Sequence, residues 1–306
     1  MIGKLDHVVL GVADLDEAAR RWALQFGLTE RARSADRVDL SCDDEAVALA
    51  LVPGEPGFEA VAWRLRHDVS LDDAAGRLDA HGVAFGREDD ALTTHDVEGN
   101  AIRILAYAAP ASRLVAHARP AGDLRPGHPR KLGHVNFLTG RIQEQVAFYR
   151  DVLGMGMTDW LGDGGAWLHV DADHHAMALV DKSCAHLHHI AFDVVDIGQM
   201  RDHLDHLGRH GRWLGWGPTR HGVGGNIASY VRITEEPLFV ELYCDMERLA
   251  ADHEVRVWPD DRYSSNTWGP LPPRSYFRFD DAAVASERDS LEMLGHPLPD
   301  PVEAHA

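Results

Sequence analysis

Apolar and polar positions follow one recurring order along the chain: a strand of alternating apolar residues, an amphipathic helix, a glycine and then further strands. Residues 4–11 open this order, and residues 131–138 open it again at an offset of 127, which places His7 on His134. Self-similarity at a fixed offset is the mark of a duplicated architecture. We therefore expect two similar halves.

A second, weaker repeat lies inside this one. Residues 61–65 match residues 187–191 at an offset of 126, and the same offset carries Leu78 onto Leu204. Together the two repeats predict four modules of roughly 50 residues, each a strand, a helix and three strands (βαβββ). We expect an α+β protein with two domains of two modules each. Each domain forms a half-barrel sheet around a cavity, with its helices on the outside.

Shifts in composition predict the boundaries of these units. The first domain is expected over 1–108, and a stretch rich in Pro, Ala, Arg and Gly over 109–130 is typical of a linker. The second domain is expected over 131–245. A tail over 246–306, rich in Trp, Pro and Arg, follows it and is a candidate lid for the cavity.

Charge and composition exclude several classes of protein. The formal net charge of −19 argues against a nucleic-acid partner, because contacts to phosphates need clustered Lys and Arg. No apolar stretch approaches the roughly 18 residues that span a bilayer, and the N-terminus does not resemble a signal peptide. Three cysteines without CxxC spacing predict no disulfide framework. We expect a cytoplasmic protein without a membrane partner.

Strand alternation directs three potential metal ligands into one cavity. Alternate residues of a strand share a face, and the apolar positions around His134 leave that histidine on the opposite, polar face. The same alternation places His189 and Glu241 on the polar faces of their own strands. His188 falls on an apolar face, so we interpret it as a packed or supporting ring and not as a ligand.

Two imidazoles and one carboxylate form the facial triad of non-haem Fe(II) sites. Taken singly, a histidine or a glutamate on a strand is more often structural, so the first half of the chain serves as a control. Its matching positions are His7, Trp63 and Arg103. Because only the second half has a complete triad, we expect the first half to keep the fold without a metal.

Further polar residues are predicted beside the triad. A Gly- and Pro-rich loop over 217–226 contains His221 and leads into Tyr230. This loop lacks the GxxxxGK[ST] pattern of a phosphate-binding loop. The pair His174 and His175 lies on a strand between the two histidine ligands in sequence. These groups would add an acid or base and hydrogen-bond donors beside a metal.

Five segments of the second half carry a resemblance to a known family. In chain order they read GHVNF, WLHVDADHHAMAL, LHHIAFDV, GPTRHGVGGNIASY and FVELYCD. In order and spacing they resemble the type I extradiol ring-cleaving (catechol 2,3-) dioxygenases of the vicinal oxygen chelate superfamily. The first half matches only in fold and repeat. The resemblance implies an Fe(II) enzyme of aromatic catabolism that uses O2 to open a catechol next to its hydroxyls, giving a semialdehyde or keto acid.

The resemblance also implies roles for single residues. The three triad residues correspond to the iron ligands, with Mn(II) as an alternative metal. His175, three residues before Ala178 as in the family motif, corresponds to the catalytic proton donor. His221 and Tyr230 correspond to groups that contact the substrate hydroxyls.

The tail segment YSSNTWGPLPPRSYF resembles the lid of homoprotocatechuate-type members. The arginines expected before its tryptophan are Ser and Asn here, so recognition of a substrate carboxylate is an open question. The alternative to substrate contact is ordinary core packing for Trp216 and Trp268. For Arg262 and Arg274 it is a solvated surface role. The candidate substrate contacts are Trp216, Asn226, Arg262, Trp268 and Arg274.

Two other functions fit the same fold. A glyoxalase- or epimerase-type metalloenzyme of the superfamily would take a further Glu or Gln ligand from the first half, where Trp63 and Arg103 stand. A non-catalytic binding protein of the drug-resistance type would need no metal. The complete triad argues against the second alternative, and the added His175, His221 and Tyr230 argue against the first. Edge strands of such modules also predict a homo-oligomer.

Overall fold

The strands of the molecule form two mixed sheets, one in each half of the chain. The predicted α+β class is therefore confirmed. None of the described helices is long and apolar enough to cross a membrane. The structure is a computed structural model that describes residues 1–42, 47–109, 128–280, 282–286 and 289.

The first sheet consists of β1 (Ile2–Val12), β2 (Thr29–Arg33), β3 (Val38–Ser41), β4 (Leu49–Pro53), β5 (Gly57–Leu65), β6 (Gly86–Arg87), β7 (Ala91–His95) and β8 (Ala101–Leu105). Within the described residues their order is β2-β3-β4-β1-β5-β8-β7-β6. β1 and β5 pair antiparallel at the centre, and each has a parallel partner on its other side, β4 and β8 respectively. Two modules thus meet along β1 and β5.

The second sheet consists of β9 (Lys131–Thr139), β10 (Gly156–Leu161), β11 (Gly165–His169), β12 (Met177–Asp181), β13 (His186–Asp193), β14 (Leu214–Arg220), β15 (Ile227–Ile233), β16 (Leu238–Cys244) and β17 (Arg256–Trp258). The order is β14-β15-β16-β13-β9-β12-β11-β10-β17. β9 and β13 take the central places of β1 and β5, with β12 and β16 as their parallel partners. β17 comes from the predicted tail, pairs with β10 and forms this edge of the sheet.

Each module's helix follows its first strand. These helices are α1 (Leu15–Phe26), α2 (Leu71–Ala80), α3 (Ile142–Ala147), which a π-helical turn at Phe148–Val152 continues, and α4 (Ile197–Arg209). The described part of the tail adds the short α5 (Arg262–Ser265) and a helical stretch over 282–286. α1 begins at Asp14, whose side chain accepts hydrogen bonds from the first-turn amides. It ends at Gly27, whose φ of 65° is the left-handed conformation that glycine adopts most readily.

The strand pairing corrects one part of the predicted alignment between the halves. Ala62 lies opposite His7 and Arg103, as Ala191 lies opposite His134 and Glu241. By the same register, the first-half position that corresponds to His189 is Ala60, which pairs with Val9 as His189 pairs with Asn136. The predicted match of His189 with Trp63 is therefore wrong. Trp63 is fully buried in the apolar core. The weaker repeat matched apolar residues in the two sequences and took no account of which residues pair across the strands.

A buried ion pair joins the two halves. The guanidinium of Arg21 in α1 donates two hydrogen bonds to Glu236 in the β15–β16 turn, at 3.0 and 2.6 Å. Trp22 donates a third to the same carboxylate at 3.2 Å. Both charged side chains are at most 2% exposed. Removal of either partner of such a buried ion pair leaves the other charge uncompensated and destabilises the folded protein.

We expect Arg21→Ala to lower the free energy of unfolding by about 3–5 kcal/mol, because it leaves the Glu236 carboxylate buried without its partner. Urea unfolding measures the change, and the double variant Arg21→Met with Glu236→Met should recover much of the loss. Arg201→Ala, which removes an exposed ion pair with Asp202, is the control, with an expected change below about 0.5 kcal/mol. An equal effect of the two single alanine variants would contradict this role.

The predicted domain boundaries stay predictions. The sheets span Ile2–Leu105 and Lys131–Trp258. Of the predicted linker, 110–127 lies outside the described residues, as do most of the residues after 286. Homo-oligomer formation also stays a prediction.

Candidate metal centre

Three neighbouring strands bring the potential metal ligands together. His134 of β9 and Glu241 of β16 lie on either side of Ala191 in β13, and His189 lies two residues earlier on β13. The Nε2 atoms of His134 and His189 lie 2.9 and 3.1 Å from one atom, Oε2 of Glu241. The ligand atoms of the three side chains all lie within 4.8 Å of one another.

The protonation of these groups fits a divalent metal. Burial by itself would raise the pKa of Glu241, but the imidazoles of His134 and His189 outweigh it and hold that pKa well below its ordinary value. Burial lowers the pKa of His189, so its ring is neutral at pH 7. The buried Nε2 of His189 lies 3.1 Å from Oε2 of Glu241 but makes no well-aligned hydrogen bond to a described residue. An ionised carboxylate and imidazole lone pairs that converge on one point are suitable ligands for iron, manganese or zinc.

The remaining oxygen of Glu241 is held by Asn226. The Asn226 amide donates to Oε1 of Glu241 at 3.0 Å, and both side chains are buried. The carboxylate is therefore oriented with Oε2 towards the two histidines. The sequence predicted Asn226 as a substrate contact but did not predict its hydrogen bond to Glu241.

The triad lines a cavity of about 530 Å³. This volume and its mixed lining are typical of a site for a small molecule. The polar side chains of the wall include His175, His221, Tyr230 and Asn226. The apolar part of the wall is formed by Leu161, Trp167, Ala178, Val180, Trp216, Val223, Pro272 and Phe277.

His221 and Tyr230 form a hydrogen-bonded pair on this wall. His221 Nδ1 donates to the carbonyl oxygen of Ser265 at 2.8 Å, so the neutral ring accepts the Tyr230 hydroxyl at Nε2, at 2.7 Å. Trp216 stacks on the Tyr230 ring with centroids 5.0 Å apart. Burial lowers the pKa of His221 and raises that of Tyr230 well above its ordinary value. Both groups are neutral at pH 7 and are placed to hydrogen-bond a ligand.

His175 lies beside the triad without being part of it. Its ring centroid is 4.3 Å from that of His134, and it lines the cavity, whereas His174 does not. The Nδ1 atoms of His174 and His175 are 3.0 Å apart. Burial lowers the pKa of His175 well below its ordinary value, so the ring is neutral at pH 7 and is able to accept a proton from a ligand.

A β-bulge changes the predicted position of His188. The ladder between β13 and β9 shifts register between Leu187 and His189, which turns His188 away from the apolar face of the strand. His188 packs instead against Phe239 and Tyr276 and reaches the cavity wall. The predicted face of His188 is therefore wrong. Its expected character as a packed ring beside a ligand agrees with these contacts.

The other candidate substrate contacts separate into two groups. Trp216 lines the cavity together with Asn226, whereas Arg262, Trp268 and Arg274 are exposed and lie outside the wall. The guanidinium of Arg262 contacts the hydroxyl of Tyr263 instead. The tail reaches the wall through Asp260, Ser264, Ser265, Pro272, Tyr276 and Phe277.

The chain is similar in sequence to a known superfamily and to proteins of known name. Residues 131–234 match the model of the Glyoxalase/Bleomycin resistance protein/Dioxygenase superfamily. Metapyrocatechase 2 of Cupriavidus necator is 27% identical over 308 residues, which cover 92% of this chain and 93% of that protein. An iron-dependent extradiol dioxygenase of Rhodococcus jostii is 29% identical over 206 residues, which cover 58% of this chain and 68% of that protein.

A similar fold is found in solved structures. The Mn(II)-bound glyoxalase of Novosphingobium aromaticivorans superposes with a TM-score of 0.78 at 22% identity, covering 89% of this chain and 93% of that one. At this level of identity the similarity concerns the fold alone. The match to the family model agrees with the predicted superfamily for residues 131–234.

Proposed function

Since residues 131–234 belong to the Glyoxalase/Bleomycin resistance protein/Dioxygenase superfamily, we propose that this chain is an extradiol dioxygenase. It would open the ring of a catecholic substrate with O2, using Fe(II) held by His134, His189 and Glu241. One observation carries the proposal: the triad shares its cavity with three further polar groups, His175 on one side and the His221–Tyr230 pair on the other. The named relatives support the reaction type.

The bound metal would supply a Lewis acid for the substrate oxygens and a centre for O2 activation. The other tasks belong to side chains of the chain. His175 is neutral and buried beside the triad, so it can take a proton from a catechol hydroxyl and return one to the product. Tyr230, fixed by His221 and Trp216, would hold the substrate oxygen nearest to it.

Charges at the cavity wall favour an uncharged substrate. Asp163, Asp181 and Asp260 contribute three carboxylates to the wall, and Lys182 contributes one ammonium group. The two tail arginines proposed for carboxylate recognition lie outside it. A catechol with an alkyl or aryl substituent fits the apolar part of this wall better than one with a carboxylate.

Anaerobic reconstitution of the apoprotein tests the proposed function. With Fe(II), addition of air and catechol, alkylcatechols or 2,3-dihydroxybiphenyl should consume O2 and form the yellow ring-fission product. Mn(II) is tested in parallel, and Zn(II), which binds similar ligands without redox chemistry, is the inactive control. Metal binding without O2 uptake on any diol would favour a glyoxalase-type reaction. A protein that binds none of the three metals would be a non-catalytic binding protein.

A further inference from the structure

Two pairs of adjacent histidines in the site share one geometry. His174 and His175 approach each other through their Nδ1 atoms at 3.0 Å, with the rings at 90°. His188 and His189 do the same at 2.8 Å, with the rings at 78°. In each pair the second member is a proposed site residue. We call His174 and His188 the outer histidines, and both are at most 1% exposed.

Each outer histidine is anchored at its other nitrogen. His188 Nε2 lies 2.8 Å from the backbone carbonyl oxygen of Tyr276. A carbonyl oxygen only accepts hydrogen bonds, so this Nε2 carries the proton. His174 Nε2 lies 3.0 Å from Oδ2 of Asp159, and a carboxylate likewise accepts. A neutral imidazole has only one N–H, which leaves Nδ1 of each outer histidine as an acceptor.

The anchors themselves are firmly held. Asp159 is fully buried, and it also accepts hydrogen bonds from Arg256 at 2.9 Å and from the Trp258 indole at 2.7 Å. The Asp159 carboxylate thus has donors in the guanidinium of Arg256 and the indole of Trp258 besides Nε2 of His174. Arg256 and Trp258 belong to β17, and Tyr276 lies further along the same tail. The tail thus fixes both anchors.

We propose that His174 and His188 are positioning residues that hold His175 and His189 in one tautomer. In each pair the second histidine donates its Nδ1–H to the outer one, so that its Nε2 lone pair is directed to the cavity. For His189 this is the nitrogen next to Glu241, and for His175 it is the nitrogen left free to exchange a proton. The roles of these nitrogens in metal binding and proton exchange rest on the proposed function, whereas the tautomer assignment rests on the hydrogen bonds alone.

The alternative is that the outer histidines only fill space. Leucine and asparagine replacements distinguish the two cases, because both are close to histidine in size. Asparagine offers a carbonyl oxygen where the imidazole has Nδ1, whereas leucine offers no acceptor. A positioning role therefore predicts that the leucine variants of His174 and His188 lose the fixed tautomer of the neighbouring histidine, together with kcat or metal affinity. The asparagine variants should keep these properties. A space-filling role predicts that the two replacements behave alike.

The first measurement is imidazole 15N NMR of the Zn(II)-loaded, histidine-labelled full-length protein, with signals assigned from the single variants. We expect His175 and His189 to carry the proton on Nδ1, and His174 and His188 to carry it on Nε2. In His174→Leu, His175 should lose its fixed Nδ1–H signal, and His174→Asn should restore it. A proton on Nε2 of His175 in the unsubstituted protein would overturn the proposal, whether or not any variant folds.

The second measurement is function, with thermal unfolding as the folding control. His188→Leu should weaken Zn(II) binding by about 10–100-fold, the usual effect of losing the partner of a ligating histidine, and His188→Asn should recover most of it. His174→Leu should lower kcat by a similar factor while leaving Zn(II) affinity and KM near their original values. Folded Asn variants as defective as the Leu variants would contradict the proposal. If the tautomers are as expected but no catechol is cleaved, the proposed function fails and the tautomer assignment stands.

Discussion

We expect His189→Ala to lose the divalent metal, with an affinity loss beyond the roughly 100-fold expected for an outer partner. The substitution removes one of three ligands and leaves His134 as the remaining imidazole of the triad beside Oε2 of Glu241. Ring cleavage should disappear with the metal. Metal content after dialysis and Zn(II) affinity by chelator competition measure the effect directly and do not depend on the reaction.

His186→Ala is the matched control for this prediction. His186 is a histidine of the same strand that lies outside the cavity wall and whose Nε2 donates to the carbonyl oxygen of Pro237 at 2.8 Å. We expect this variant to bind metal like the unsubstituted protein. A His189→Ala protein that folds and retains the metal would remove His189 from the ligand set.

We expect His175→Ala to keep its metal and its substrate affinity while kcat falls by about 10²–10⁴-fold, the usual contribution of a general acid or base. His175 contacts His134 without joining the triad, so the metal site should remain intact. Its loss removes the neutral ring that we propose to accept and return the substrate proton. Steady-state O2 uptake gives kcat and KM, and anaerobic catechol titration gives binding.

The control for His175→Ala is the bound metal itself. Metal content equal to that of the unsubstituted protein shows that the change is confined to the reaction. A variant with normal turnover would exclude His175 from the mechanism. One that loses the metal together with turnover would show instead that His175 supports the site structurally.

The sequence alone predicted the fold class and the composition of the triad, because both depend on local periodicity. The period of two along a strand decides which residues share a face, so His134, His189 and Glu241 could be directed to one cavity from their neighbours in sequence. The repeat then placed their strands at equivalent positions of two similar modules. These inferences needed no knowledge of pairing register.

Features that depend on register could not be predicted in the same way. One bulge in the β13–β9 ladder reverses the face of His188, and the ladder of the first sheet replaces Trp63 by Ala60 as the counterpart of His189. A bulge adds one residue to one strand of a pair, and a slip of one residue moves the side chains that follow to the other face. A comparison of apolar residues does not detect such shifts.

The surroundings of the site were decided by tertiary structure alone. Asp159 and Tyr276 reach the two outer histidines from β10 and from the tail, and no local pattern distinguishes them from ordinary polar or core residues. The path of the tail likewise keeps Arg262 and Arg274 out of the cavity. Strand alternation thus indicates locally which side chains face the cavity where no bulge intervenes, whereas the partners that orient them follow from the packing of distant segments.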